Sequence, residues 1–537
     1  MSLRVLSRRL ALAVLAALSL GLAACGKDDV QAAAGNGAAP AADTAAFTIL
    51  AGSELKDLEG PIVDAAKAAG VDVKFSYAGT LDIVERINAG ERFDAILPPN
   101  GAYPALALQA KPLARDKLFY SRIALGVKSA KAAQLGWTRR PPGWAEIAKA
   151  AGAGQLRYGM TNATSSNTGM SALFAVASAL AGKTEDLGEQ DVDEKTLKAF
   201  LSGQKLTAGS SGWLADAYVK DPSAIDAMVN YEAVILRANE KLPKADQLTL
   251  IYPRDGMISA DYPLMLLNAN KREAYTQLVS TLKAAPFQRD ALSAAFLRPA
   301  NPEVAAAAAL PTAAVAELGF PNRLEVIDAV LGTYQSQWRK PATSIFVLDL
   351  SGSMSGKRLA SMREALKLLS GADAASTSTA TASARYSAFQ SRERVVLITF
   401  ATQVQAPVWV RFDADHIEAA RSELRQQADA MKADGGTAIY SALAAAEDLA
   451  RQEQQREPNR FVSIVLLTDG ENNSGLKPQE FRDRYAAGGL PARIFPILFG
   501  EANVSEMQQI AQLSGGREFD GRKLQLGQVF KEIRGYQ

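Results

Sequence analysis

The 537-residue sequence contains one cysteine, Cys25, and one histidine, His416. One thiol cannot form a disulfide within the chain, and one His with one Cys cannot build a zinc site of the His/Cys type. A serine or cysteine nucleophile with a histidine base would have to use His416, whose neighbours in 413–417 have the polar pattern of a helix start. The composition therefore disfavours these enzyme classes.

Neither sign of charge dominates, since 59 Lys and Arg face 57 Asp and Glu, for a formal net charge of +2. Such a balance gives no reason to expect a nucleic-acid partner or a polybasic membrane face. Beyond the first residues no apolar run is long enough to span a bilayer. The length and the 48% hydrophobic content predict two or more globular domains.

The N-terminus has the pattern of a targeting signal. Arg8 and Arg9 precede the apolar residues 10–20, and the segment ends in Leu22-Ala23-Ala24-Cys25. This resembles the bacterial lipoprotein signal, which implies that residues 1–24 are removed and that Cys25 is lipidated. The alternative is an ordinary secretory signal with an incidental cysteine.

Residues 25–46 are rich in Ala, Gly and Asp and have almost no large apolar side chain, so we expect a flexible tether. Together with the signal, this implies a protein anchored in the cell envelope through lipid alone, facing the periplasm or the outside. Gly26 follows the cysteine, where aspartate often marks inner-membrane retention, so the resemblance slightly favours the outer membrane.

The next part of the chain alternates between two patterns. Apolar segments at 47–50, 71–75 and 94–98 predict strands, and the segments 61–69 and 81–89 predict helices. Alternating strands and helices predict a parallel α/β sheet.

Several motifs follow one another in an order that resembles the periplasmic solute-binding proteins, specifically the two-lobed class that includes binders of molybdate and related anions. They are Ala51-Gly52-Ser53, Gly79-Thr80, the polar segment 161–169, Asn230-Tyr231-Glu232 and the segment 252–256. The resemblance implies a two-lobed domain over 47–322, with the chain crossing between lobes at 119–128 and 248–253. It also implies a small solute, an anion among the candidates, in the cleft between the lobes.

The candidate solute contacts are polar side chains near the predicted helix starts. They are Ser53, Thr80, Ser165, Ser166, Asn167 and Thr168, with Tyr231 added from the resemblance. Helix N-terminal amides joined by hydroxyl groups bind anions without lysine or arginine. The alternative for each Ser or Thr is simple N-capping of its own helix. Residues 302–340 are predicted to be largely helical, with 323–340 as the linker to the last domain.

The last part of the chain predicts a second α/β domain. Its apolar segments end in polar loops, and two amphipathic helices lie between them. The segments are 343–348, 394–400, 461–467 and 492–500, and the helices are 419–431 and 437–454. We expect a doubly wound sheet, in which ligands bind beyond the carboxyl ends of the strands.

Three polar elements follow these segments. Asp349, Ser351 and Ser353 come after the first strand, Thr437 opens a helix, and Asp469 comes after the third strand. Their order and placement resemble the metal-ion-dependent adhesion site of von Willebrand factor type A domains, over 341–537. The resemblance implies that these five residues hold Mg²⁺, or Mn²⁺ or Ca²⁺, as suits hard oxygen ligands. It also implies a protein partner that supplies an Asp or Glu to the ion. Residues 372–387 resemble an inserted loop beside this site.

These features favour a binding or adhesion protein over an enzyme. Two other functions remain open from the sequence. One is the solute-binding component of a transport system. The other is a metal-assisted hydrolase, although no evident base or nucleophile accompanies Asp349 and Asp469. A chelatase-like role alongside ATP-driven partners is disfavoured for an exported protein.

Overall fold

A computed structural model describes residues 46–371, 386, 388–486, 488–523 and 525–536, all within one compact unit. The expected signal (1–24), the lipidation site Cys25 and nearly all of the tether lie outside the described residues. So does most of the expected inserted loop, of which Tyr386 is described. None of the described helices is long and apolar enough to cross a membrane.

Twelve strands form two sheets in the first 300 residues of the described chain. They are β1 (Phe47–Gly52), β2 (Val73–Ala78), β3 (Ala95–Leu97), β4 (Ala114–Lys117), β5 (Phe119–Lys128), β6 (Tyr158–Thr161), β7 (Gln204–Ala208), β8 (Ala227–Tyr231), β9 (Leu248–Ile251), β10 (Ser259–Ala260), β11 (Pro263–Leu266) and β12 (Arg298–Pro299).

The first sheet defines the first lobe and has the order β2-β1-β3-β11-β4. β1 pairs in parallel with β2 and β3, but β11 runs antiparallel to both β3 and β4. The sheet is therefore mixed rather than parallel throughout, because β11 returns from a distant part of the chain. The strand–helix alternation before β4 could not reveal this.

The second sheet defines the second lobe, with the order β10-β5-β8-β6-β7, and β9 and β12 also pair with β5. The chain enters this lobe at Leu118, between β4 and β5, and returns to the first lobe at 261–262, between β10 and β11. The later β12 pairs only with the first residues of β5, beside the crossing. The N–H of Leu118 donates to the carbonyl of Tyr262 at 3.2 Å, so the two crossings lie side by side. The crossing predicted at 248–253 is wrong, because this apolar segment forms β9 within the second lobe.

Helices cover both sheets and connect their strands. The α-helices are Glu59–Ala68, Thr80–Asn88, Ala102–Ala107, Ser129–Gln134, Trp144–Gly152, Asn167–Ala181, Glu194–Ser202, Ser211–Lys220, Glu232–Glu240, Arg272–Lys283, Ala285–Ala294 and Leu324–Thr333; short 3-10 helices are Ser53–Leu58, Glu189–Asp191 and Ala269–Lys271.

The stretch between the two parts of the chain is only partly helical. Residues 301–323, including the alanine run 305–309, form turns and extended segments, so the prediction of helix there is wrong. Pro302, Pro311 and Pro321 interrupt helical hydrogen bonding across this stretch, which outweighs the helix preference of alanine. The helix Leu324–Thr333 continues directly into a π-helix, Tyr334–Trp338, and both bury apolar side chains.

The last part of the chain contains one six-stranded sheet with the order β15-β14-β13-β16-β17-β18. Its strands are β13 (Ala342–Asp349), β14 (Glu393–Phe400), β15 (Val408–Phe412), β16 (Phe461–Thr468), β17 (Arg493–Leu498) and β18 (Phe519–Asp520). All neighbours are parallel except β14 and β15. β13 is central and buried along its whole length, and its apolar run 345–348 suits a strand with protein on both faces.

Helices pack on both faces of this sheet, as a doubly wound domain requires. The α-helices are Lys357–Leu369, Ile417–Ala430, Ile439–Arg456, Pro478–Tyr485, Val504–Ser514 and Leu526–Arg534, with short 3-10 helices at Gly352–Met354 and Ala414–His416. The predicted fold class, α/β with a two-lobed part followed by a doubly wound domain, is confirmed.

Candidate metal centre and solute cleft

The carboxyl ends of β13 and β16 meet at the point where the strand order of the six-stranded sheet reverses. β13 lies between β14 and β16, so the loops after β13 and β16 leave the sheet side by side. Such a switch point is where doubly wound sheets bind ligands. All five residues predicted to hold a metal lie on loops at this edge.

Asp349 ends β13, and its side chain is fully buried. Its Oδ1 accepts a hydrogen bond from the N–H of Ser351 at 2.7 Å, and its Oδ2 accepts one from the hydroxyl of Thr468 at 2.6 Å. Burial raises the pKa of Asp349 above its usual range, although the bond from Thr468 opposes the rise. A cation beside this carboxylate would favour its charged form.

The serine hydroxyls of the loop after β13 connect this loop to the second carboxylate, that of Asp469. The Oγ atoms of Ser351 and Ser353 are 3.0 Å apart, and the Ser353 hydroxyl donates to Oδ1 of Asp469 at 2.7 Å. Asp469, the residue after β16, is almost completely buried. The loops after β13 and β16 therefore contact each other directly through the residues that the sequence singled out.

Thr437 reaches the same place from a third loop. A Cβ atom built on Gly470 would lie 3.7 Å from Oγ1 of Thr437 and 3.8 Å from Oγ of Ser353, so both hydroxyls flank this glycine. Oδ1 of Asn473 accepts a hydrogen bond from the N–H of Thr437 at 2.8 Å and fixes the loop. The N–H of Gly352 donates to the Gly435 carbonyl at 3.0 Å, which ties the first and third loops together.

A basic residue that the sequence reasoning missed sits at this edge. The guanidinium of Arg358 donates to Oδ2 of Asp469 and contacts the carbonyl of Ser353 at 3.3 Å. Gly500, with φ of 53°, leaves room for this pair, since a Cβ there would lie 2.9 Å from Cβ of Asp469. Arg358 stands in the first turn of its helix, where the helix dipole disfavours a positive charge. An arginine in this unfavourable position was the one sign in the sequence that an acidic side chain lies nearby.

The donor set fits a hard divalent cation. Two carboxylates and three hydroxyls converge from three loops, and such oxygen ligands suit Mg²⁺, Mn²⁺ or Ca²⁺. The guanidinium against Asp469 shows that the edge accommodates a positive charge. No group of three or more His, Cys, Asp or Glu side chains suited to a metal occurs in the described part of the chain, so this site depends on its hydroxyls.

Replacing Arg358 with alanine is expected to raise the affinity for Mg²⁺ by up to about fivefold, since a partly exposed ion pair contributes at most about 1 kcal/mol. The guanidinium, 34% exposed, competes for the Asp469 carboxylate and repels an incoming cation. Calorimetric titration of the full chain with MgCl₂ measures the change. Lys357→Ala, which removes an exposed charge one residue earlier, is the control and should leave the affinity unchanged. A weaker affinity in Arg358→Ala would show that Arg358 supports the site instead.

The residues predicted to contact a solute do not all lie at one site. Ser53 of the first lobe and Ser165 of the second both line a cavity of about 1020 Å³. The Nδ2 of Asn167 donates to the hydroxyl of Tyr231 at 2.9 Å, so these two side chains are hydrogen-bonded to each other in the protein interior. The hydroxyls of Ser166 and Thr168 contact each other at 3.3 Å.

Some of these groups have no hydrogen-bond partner among the described residues. Thr80 Oγ1 and Asn167 Oδ1 are both buried and unpartnered there. By contrast, the hydroxyl of Thr168 lies 2.7 Å from that of Thr161, so it has a hydrogen-bond partner within the same stretch of chain. Unsatisfied buried polar atoms are unusual in folded proteins, but neither Thr80 nor Asn167 is among the residues that line the cavity.

Glu54 is a second residue that the sequence reasoning missed. It follows Ser53 and lines the same cavity, and its Oε1 has no partner among the described residues. Burial raises the pKa of Glu54 to about 7, although a hydrogen bond from its own backbone and the charge of Arg237 oppose the rise. Glu54 directly follows Ser53 in the sequence, but only Ser53 was selected as a candidate solute contact.

The cavity also has a wall that the sequence did not predict. Its lining includes Tyr77 and Asp82 of the first lobe and Trp213 of the second. Arg517 and Tyr536, from the doubly wound domain, line it as well. The cleft between the lobes is therefore enclosed by three parts of the chain rather than two.

Comparison with known proteins identifies both parts of the chain. Residues 47–290 match the family described as bacterial extracellular solute-binding protein, and residues 345–530 match the von Willebrand factor type A domain. The chain therefore carries a solute-binding-protein domain followed by a von Willebrand factor type A (VWA) domain. The solute-binding relatives are extracytoplasmic proteins.

Individual proteins each resemble a part of this chain. Human inter-alpha-trypsin inhibitor heavy chain H4 is 30% identical over 208 residues, 36% of this chain and 20% of its own, so the chain spans about a fifth of that relative. The solved periplasmic binding protein P5PA is 15% identical with a TM-score of 0.43, covering 55% of this chain and 99% of its own. A von Willebrand factor type A protein from Catenulispora acidiphila is 16% identical with a TM-score of 0.28, covering 37% and 42%.

Proposed function

We propose that this chain, with its solute-binding domain and VWA domain, is a lipid-anchored extracytoplasmic binding protein that docks a protein partner through a divalent cation. Anchoring would use Cys25, which ends the predicted lipoprotein signal. The VWA domain supplies the docking site, and the partner contributes an Asp or Glu to the ion. Docking of this kind requires no chemical conversion of the partner.

The observation that carries this proposal is the convergence of five oxygen-bearing side chains at one sheet edge. Asp349, Ser351 and Asp469 are buried, whereas Ser353 is exposed. An ion held here would be reachable from solvent on the Ser353 side, where a partner's carboxylate can approach. When bound, the ion supplies an electrophilic centre for that carboxylate.

The composition of the ligand set supports docking over catalysis. Three of the five donors are neutral hydroxyls, so two carboxylates leave a divalent ion with affinity for a further anionic oxygen. His416, the single histidine, precedes the helix Ile417–Ala430 after β15, and β15 is antiparallel to β14. It is therefore at the opposite edge of the sheet and cannot serve as a base at this site.

The cavity between the lobes supports a second role, binding of a small polar solute. Its volume of about 1020 Å³ and Oε1 of Glu54, which has no partner among the described residues, favour a ligand that donates hydrogen bonds. Above pH 7 this carboxyl is largely charged and would repel an oxyanion, so an anionic solute would bind best under acidic conditions.

Replacing Ser353 with alanine tests the metal proposal. We expect Ser353→Ala to weaken binding of Mg²⁺ or Mn²⁺ by about 10–100-fold, because it removes a donor and the bond to Asp469. Calorimetric titration of the full chain with MgCl₂, MnCl₂ and CaCl₂ measures this. Ser355→Ala, at an exposed serine two residues away, is the matched control and should bind as the wild type does.

Docking is tested separately with acidic peptides. A displayed peptide library should yield binders that need Mg²⁺, are lost in EDTA, and fail when their Asp or Glu becomes Asn or Gln. Wild-type protein that binds no divalent ion at millimolar concentration would overturn the metal proposal. Metal binding with no carboxylate-dependent peptide would overturn the docking role alone.

A further inference from the structure

The last helix of the VWA domain reaches into the cleft of the solute-binding domain. We call the helix Leu526–Arg534 with the following Gly535 and Tyr536 the clasp. Inside its own domain the clasp is anchored by apolar side chains, as Phe530 packs against Phe346 of β13 with ring centroids 5.5 Å apart. Its far end lines the cavity between the lobes. There Tyr536 still packs on Phe495 and Phe519 of its own domain, with ring centroids 5.5 and 5.7 Å apart.

The clasp contacts the first lobe through an ion pair. Nζ of Lys531 lies 2.7 Å from Oε1 of Glu85, and each side chain is 18% exposed. Glu85 belongs to the helix Thr80–Asn88, whose start faces the cleft. Glu532, the next residue of the clasp, is half-buried and lies near positive charges, which include Arg517 of its own domain and Lys56 and Arg86 of the first lobe.

The clasp contacts the second lobe through close packing. The ring of Tyr536 meets that of Trp213 edge to face, with centroids 4.7 Å apart. Gly209 leaves the space for Tyr536, because a Cβ there would lie 2.6 Å from the tyrosine ring. Gly535 faces Gly209 in turn, since a Cβ on Gly535 would lie 2.8 Å from the Gly209 Cα and 3.0 Å from Oγ of Ser165.

The two lobes also touch each other beside the clasp. Nε of Arg237 in the second lobe lies 3.1 Å from Oδ2 of Asp57 in the first. Gly79 of the first lobe approaches the carbonyl of Ser165 so closely that a Cβ on it would lie 2.1 Å from that oxygen. These contacts exist only when the lobes are together.

We propose that the clasp is a built-in occupant of the cleft that bridges the lobes and holds them together. A group that contacts both lobes binds their closed arrangement better than an open one, and so shifts the equilibrium towards closure. Solutes have this effect in two-lobed proteins, and here Lys531 and Tyr536 have it from within the same chain. Seating of the VWA domain and closure of the lobes are then a single equilibrium, and any solute of the cavity contacts the VWA domain as its third wall. This goes beyond the metal-dependent docking proposed above and does not depend on it.

The glycine at the seat of the clasp provides the test. Gly209→Ala puts a methyl group against the Tyr536 ring, whereas Gly212→Ala, three residues later, meets no atom within 4 Å and is the matched control. Backbone hydrogen exchange of the full chain is measured for three segments. They are the clasp (526–536), the first-lobe contact (77–83) and the second-lobe contact (162–168). We expect Gly209→Ala to raise exchange about tenfold in all three, since unseating opens the lobes, and Gly212→Ala to raise it in none.

A charge exchange makes the test independent of packing at Gly209. Lys531→Glu sets two like charges against each other at Glu85 and should reproduce the faster exchange, and adding Glu85→Lys should restore the wild-type rates. Small-angle scattering should report a larger radius of gyration for Lys531→Glu and recovery in the double variant. If exchange rises in the clasp while segments 77–83 and 162–168 keep their wild-type rates, the lobes close without the clasp and the proposal is wrong.

Discussion

Replacing Glu393 with glutamine is expected to lower the free energy of unfolding by about 3–5 kcal/mol, as removal of one partner from a buried charge cluster does. Glu393 begins β14, and its side chain is 2% exposed. It accepts hydrogen bonds from Arg534 at 3.0 and 2.9 Å and from the guanidinium of Arg339. Both arginines are buried, so the variant removes the carboxylate charge that two buried positive charges face.

The same cluster makes the free energy of unfolding depend on pH. Burial alone would raise the pKa of Glu393, but the charges of Arg534 and Arg339 outweigh burial and lower it. A carboxyl whose pKa is lower in the folded state contributes stability above its ordinary pKa, and this is lost as the pH falls through the folded value. The wild type should therefore lose stability in acid more steeply than Glu393→Gln.

Urea unfolding of the full chain, followed at pH 7 and in steps towards acid, measures both effects. Glu418→Gln is the control, because Glu418 is 67% exposed and pairs with Arg421 on the same helix, so its loss should change stability by less than about 0.5 kcal/mol. A loss below about 1 kcal/mol in Glu393→Gln would mean that water or another anion compensates the arginines.

Replacing Asp349 with alanine is expected to weaken Mg²⁺ binding by about 100-fold or more, beyond the range seen when only a supporting partner is lost. The change removes one of two carboxylates and both hydrogen bonds that order the first loop, from Ser351 and Thr468. Titration with MgCl₂ gives the affinity, and unfolding in EDTA shows whether the domain remains folded without metal.

Asp415→Ala controls for a general loss of negative charge. Asp415 is exposed and follows β15, whose last residue, Phe412, pairs with the first residue of β14, at the edge opposite Asp349. We expect wild-type Mg²⁺ affinity in this variant. Equal affinity in Asp349→Ala and the wild type would contradict the assignment of the metal to this edge.

The elements that depend on neighbouring residues were predictable from the sequence. The strands that carry Asp349 and Asp469 are long apolar segments with polar residues directly after them, and parallel pairing brings such ends together. The geometry found among Ser351, Ser353 and Asp469 follows from that rule. Whether an ion binds there stays a prediction.

Features that depend on distant parts of the chain were not predictable in this way. β11 pairs with β4 across about 150 residues and with β3 across about 170, and Arg358 meets Asp469 across 111. The clasp reaches the first lobe across 446 residues, from Lys531 to Glu85. Composition and periodicity indicate only the local preference for helix or strand, so they cannot predict contacts between residues far apart in the sequence. The failed helix at 301–323 is different, because its three prolines were visible and their effect was underestimated.

The helix Leu324–Thr333 bears on how such proteins can be recombined. Ile327, Val330 and Leu331 are fully buried, and the π-helix that follows places Gln335 within 3.2 Å of the Thr164 hydroxyl in the second lobe. A passage that looks like a spacer in the sequence thus belongs to the interior of both neighbours. Exchanging either domain for a homologue, in evolution or in the laboratory, therefore requires inheriting this passage and its contact surfaces together, because the two domains are not interchangeable modules.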